Sequence, residues 1–66
     1  METPQIEPLF IKMRDLPKVV GLSRAEIYRQ VAKGMFPKPV SLGGSNKAWP
    51  MHSIKAWAAA READST

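Results

Sequence analysis

Apolar positions in this chain come in short bursts, and the spacing within each burst predicts an element. Leu16, Val19 and Val20 recur at i, i+3 and i+4, the inner stripe of a first helix beginning near Met13 or Asp15. Asp15 suits its N-cap, Pro17 falls in the first turn where its missing N–H is not needed, and Gly21 closes it in the left-handed conformation. Ser23-Arg24-Ala25-Glu26 follows at once in capping-box order: the Ser23 hydroxyl is to accept from the Glu26 N–H while the Glu26 carboxylate reaches back to the Ser23 N–H. A second helix is predicted from Arg24 to Lys33, with Ile27 and Val31 inward and Gly34 as its stop. A short helix, a glycine turn and a capped second helix describe a helix-turn-helix.

The prolines of Met35-Phe36-Pro37-Lys38-Pro39 push their predecessors toward extended geometry, so this stretch is not helical. Val40-Ser41-Leu42 alternates like a half-buried strand, Gly43-Gly44-Ser45-Asn46 is a loop of turn formers, and Lys47-Ala48-Trp49 is the return strand. Pro50 opens a last helix over Met51–Glu62, with Ile54, Trp57, Ala58 and the aliphatic stem of Arg61 facing inward. Leu9-Phe10-Ile11 reads either as a brief strand or as an extended lead-in. Residues 1–7 and 63–66 are expected to be tails around one domain at 8–62. The fold class expected is mainly α with a small β-hairpin: a winged helix-turn-helix of three helices plus wing.

Composition narrows the chemistry. Sixty-six residues allow one small domain of marginal stability, in which Trp49 and Trp57 are best used as core anchors. With no cysteine and one histidine, His52, expected to be exposed, there is no metal site and no thiol nucleophile to assemble. No Ser-His-Asp set, phosphate-cradling glycine loop or paired carboxylate motif exists, so no enzyme, no cofactor and no small-molecule substrate are expected. The longest apolar run, Ala56–Ala60, falls far short of a bilayer span, and the acidic start lacks a basic leader, which predicts a cytoplasmic, nucleoid-associated protein without a membrane partner. The net charge is +4, but its placement matters more: Arg29, Lys33, Lys38, Lys47, Lys55 and Arg61 follow Ile27 with no acid until Glu62. That asymmetry fits either a solubilising surface or an anionic partner, foremost double-stranded DNA.

On the second helix, at about 100° per residue, the side opposite Ile27 and Val31 carries Ala25, Arg29, Ala32 and Lys33. A helix entering a major groove needs long donors for guanine or phosphate, and small residues where the backbone approaches; Ala25 also suits a thymine methyl. Arg24, in the first turn, swings outward. Tyr28 flanks this side and reads equally as core packing with its hydroxyl at the rim. Arg29 and Lys33 taken alone fit a solvated face better than a contact; the capped glycine turn before the helix and the basic hairpin after it shift the balance toward the contact. At the hairpin tip Asn46 and Lys47 are candidate phosphate or minor-groove contacts, and Lys38, rigid between prolines, is a candidate phosphate contact.

The order Gly21-Leu22-Ser23-Arg24, Ile27-Tyr28-Arg29, Gly34-Met35-Phe36-Pro37-Lys38-Pro39-Val40-Ser41-Leu42-Gly43, Ala48-Trp49 and Ile54-Lys55-Ala56-Trp57 resembles the AlpA family of prophage-type regulators. These are winged-helix, MerR-like DNA-binding proteins related to excisionases. The resemblance spans residues 9–60 and implies site-specific DNA binding, with the second helix in the major groove and the hairpin as wing. It carries the recognition segment onto Ser23, Arg24, Ala25, Tyr28 and Arg29, and a wing cation onto Lys47. This chain departs from the family in having Ala25 and Glu26 where a hydroxyl is common, and in a glycine-rich tip without arginine.

The function expected is therefore a sequence-specific transcriptional regulator of a prophage or integrative element. An excisionase that binds and bends attachment-site DNA for an integrase uses the same face. An interaction adaptor built on a winged helix is a third reading. A single small module has a limited DNA contact area, so self-association on adjacent DNA sites is expected as well.

Overall fold

The structure, a computed structural model, describes residues 7–65. In chain order it contains β1 (Phe10–Ile11), α1 (Leu16–Val20), α2 (Arg24–Ala32), β2 (Val40–Gly43), β3 (Asn46–Pro50) and α3 (Met51–Asp64). Three helices thus accompany a three-stranded antiparallel sheet of order β1-β3-β2, an arrangement compatible with a helix-turn-helix plus wing. Of the expected tails, residues 1–6 and Thr66 lie outside the described residues, while α3 extends to Asp64, beyond the predicted Glu62.

Local chemistry sets both ends of the helix pair. Gly21 adopts φ 77°, ψ 21° and donates to the Pro17 carbonyl at 2.9 Å, ending α1. Ser23 is extended, and its hydroxyl accepts from the Glu26 N–H at 3.1 Å. At the far end of α2, Gly34 (φ 74°) donates to Val31 and Met35 donates to Gln30, the paired bonds of a Schellman turn. Ser23→Ala is expected to cost about 0.5–2 kcal/mol, seen as a lowered thermal midpoint. An unchanged midpoint would show that the cap contributes nothing.

Several finer expectations need correction. Asp15 occupies the cap position of α1 but with helical dihedrals and no side-chain capping bond. Entry into α1 is instead made by the Lys12 carbonyl, which accepts from both the Asp15 and Leu16 N–H groups at 3.0 Å. The Glu26 carboxylate does not close the capping box. It is held along the helix instead, accepting from Gln30 Nε2 and pairing with Arg29, each at 3.1 Å. Val19 is 52% exposed, because a five-residue helix has room for one inner contact row and Leu16 and Val20 take it. Arg61 is exposed rather than inward. Pro50 is the last residue of β3 as well as the residue ahead of α3.

The core is a cluster of Ile11, Leu16, Ile27, Phe36, Trp49 and Ile54, flanked by half-buried Met13, Val20, Leu22, Val31, Met51 and Trp57. Phe36 stands edge-on to both tryptophans, at 6.4 Å from Trp49 and 4.8 Å from Trp57. Trp49 is the deeper anchor, and its indole N–H donates to the Pro37 carbonyl at 2.7 Å. Of the two readings open for Leu9-Phe10-Ile11, the strand holds: Phe10 pairs with Pro50 and Ile11 with Trp49. The Leu9 carbonyl then accepts from the Met51 N–H at 2.8 Å, satisfying an amide that would otherwise be orphaned at the start of α3.

Candidate nucleic-acid interface

Two sets of candidate residues emerge, held by different devices. The first belongs to α2. With Ile27 fully buried, the opposite side presents Ala25, Tyr28, Arg29 and Ala32, all exposed. Tyr28 is 57% exposed, which resolves its two readings in favour of an outward ring. Arg24 and Ser23 are exposed at the start of the helix, where Ser23 is already committed to its cap. Lys33 follows the last residue of α2 and is also exposed.

Arg29 has a local partner. Its Nη1 lies 3.1 Å from Glu26 Oε1 on the preceding turn, while the other carboxylate oxygen holds Gln30. The Arg29 side chain is still 61% exposed, and such surface pairs contribute about 0–1 kcal/mol, so the pair costs little to break.

The second set sits at the hairpin tip. Val40 pairs with Ala48, Ser41 with Lys47 and Gly43 with Asn46, leaving Leu42 bulged. Asn46 and Lys47 are exposed at the outer end of β3, and Gly44-Ser45 makes the turn. Lys38 is exposed on the proline segment between the two sets, belonging to neither element. His52 is exposed, as expected. Among the described residues there is no grouping of histidine and acidic side chains able to hold a metal ion, and no helix is long and apolar enough to cross a membrane.

Two cations escaped the sequence reading. Lys12 and Arg14 line the same open cleft as Ser45, Asn46 and Lys47, across from the hairpin tip. The available signal is the run Lys12-Met13-Arg14, two cations between an apolar strand and a helix start.

Comparison with known proteins gives a consistent result. Residues 9–62 match the family described as "Prophage CP4-57 regulatory protein (AlpA)". A relative, "Uncharacterized protein ORF88" of Enterobacteria phage P4, is 42% identical over 62 residues, covering 92% of this chain and 70% of the relative. No solved structure matches significantly. The matched region takes in every described element, from β1 through most of α3, and on that basis the chain belongs to the AlpA family of prophage regulatory proteins.

Proposed function

We propose that this protein is a winged-helix regulator that binds specific sites in double-stranded DNA, with α2 in the major groove and the β2–β3 hairpin as its wing. The observation that carries this reading is the outer side of α2. A capped helix turns Ala25, Tyr28 and Arg29 away from the buried Ile27, in a chain of a prophage regulatory family. Arg29, with Arg24 beside it, supplies donors of guanine-reading length, and Ala25 leaves room for close approach. Lys33, Lys38, Asn46 and Lys47 supply sequence-independent phosphate contacts that set the register. Glu26, its carboxylate facing the same side, disfavours indiscriminate contact with phosphates. The work is non-catalytic, requires no cofactor, and takes place in the cytoplasm on the nucleoid.

Selection of bound duplexes from a random pool, followed by footprinting, tests this directly. A defined site, protected in units that repeat along the duplex, is the expected result; recovery of no preferred sequence would refute it. One module of this type buries about 600–1,000 Å² on DNA, so tight occupancy arises from several copies on adjacent sites. If about five phosphates are neutralised, log K falls against log[salt] with a slope of about −4.5. Lys47→Ala is expected to weaken specific and random duplexes equally and to make that slope shallower by about 1. Nanomolar binding to an isolated site at physiological salt would contradict the multi-copy arrangement.

The family's regulatory description favours control of transcription over excision as the role served. An excisionase would bend the same site and partner an integrase, which a bending assay and an excision assay detect. Were Arg29→Ala combined with Lys47→Ala to lose duplex binding yet keep its effect in cells, an adaptor role would replace both.

A further inference from the structure

Ile11 pairs with Trp49 in antiparallel register, which directs the residues after β1 back along β3 toward the hairpin tip. The pairing ends there because the chain turns on the Lys12 carbonyl to enter α1, whereas β3 extends back to Asn46. The two segments part, and an open cleft of about 330 Å³ is left between them, lined by Lys12, Met13, Arg14, Ser45, Asn46 and Lys47. Three of these six are cations and none is acidic. Among the described residues, Lys12 and Lys47 form no ion pair. Arg14 stands 4.0 Å from Asp15 with 84% of its side chain exposed, too loose and solvated a contact to hold it.

Like charges brought together from two distant segments repel one another, and an anion between them reverses the sign of that interaction. The Asn46 amide and Ser45 hydroxyl add neutral donors beside the cations. Enclosed pockets suit small molecules because they cover most of the ligand surface. This cleft is open on one side, which suits an anion carried on the outside of a large polymer.

We propose that the cleft is a phosphate clamp in which Lys12, Arg14 and Lys47 close on one backbone phosphate of duplex DNA. The proposal rests on the DNA-binding reading above and adds to it a contact from the segment ahead of α1, so that the molecule grips the backbone at the hairpin from both sides. A phosphate contact fixes position without reading sequence, so the clamp sets where α2 lies along the groove and leaves the choice of bases to α2.

The test compares wild type, Lys12→Ala combined with Arg14→Ala, the same pair changed to Gln, and Arg29→Ala. Both positions are exposed, so folding is retained, and thermal unfolding of each variant verifies it. The expected result for both double variants is a loss of about tenfold in duplex affinity, the size of one charge-assisted contact, equal on selected and random sequences. The salt slope becomes shallower by about 1. Ethylation of one particular phosphate, which blocks wild-type binding, ceases to matter for the variants. Wild-type affinity, slope and ethylation pattern in the double variants would refute the clamp, while relaxed base preference in Arg29→Ala would leave the reading of α2 standing. Wild type that binds no duplex would refute both. Amide shifts of Ser45–Lys47 on adding inorganic phosphate, absent on adding duplex, would assign the cleft to a small free anion and overturn the proposal.

Discussion

Ile27→Ala is expected to leave much of the protein unfolded at 37 °C. The side chain is fully buried on the inner face of α2, within a core cluster of only six residues. Truncating such a residue costs about 2–5 kcal/mol, from lost burial and from the cavity left behind. A domain of this length has roughly 3–10 kcal/mol of stability in total. The change therefore removes a large share of what holds the chain together, and because Ile27 lies on the helix that carries Arg29, the proposed DNA binding is expected to fall with it. Thermal unfolding followed by circular dichroism should show a midpoint lowered by about 10 °C or more. A shift of only a few degrees would mean that the core closes around the gap and does not depend on this residue.

Arg29→Ala is expected to produce the largest loss of specific binding among variants that remain folded. The residue is exposed and outside the core, so stability changes only by the small contribution of its pair with Glu26. If the guanidinium reads a guanine edge, its removal costs about 1–3 kcal/mol on the selected site, roughly 5- to 150-fold, and relaxes preference at one base pair. Random duplex should lose much less. Glu26→Gln supplies the complementary measurement: it frees Arg29 and removes a carboxylate from the same side, so affinity for random duplex rises and the specificity ratio drops. Equal losses for Arg29→Ala on selected and random duplexes would demote Arg29 to a phosphate contact.

The parts of this protein that were legible in its sequence are those fixed within a few residues. Ser23 needs only its own hydroxyl and the Glu26 amide, and Gly21 and Gly34 need only their freedom to adopt positive φ, so the helix pair could be placed from local chemistry alone. The outward course of Tyr28 was not decidable that way, since a flank position goes in or out according to what packs beside it. Val19 misled for a related reason: periodicity assumes a helix long enough to present a full stripe, and α1 is a single turn and a half. The pairing of β1 with β3 was harder still, because a two-residue strand has no period of its own and its register is set by a partner far along the chain. Lys12 and Arg14 become neighbours of Lys47 only through that register. The pair Lys12 and Arg14 is visible in a local window, but their nearness to Lys47 is not.

The join between α2 and the hairpin has a consequence of its own. Pro37 and Pro39 have no N–H to share, so ladder-type bonding cannot stiffen this bridge, and its attitude depends on the Phe36 ring wedged against the tryptophans and on one indole tether to Pro37. The turns at Gly34 and at Gly44-Ser45 are local, but Phe36 and Trp49 share the core cluster with Ile27 of α2. A conservative change to that wedge, such as Phe36→Leu, would thus lower the stability and tilt α2 against the hairpin, so that the two faces proposed to share one stretch of DNA would lose their common aim.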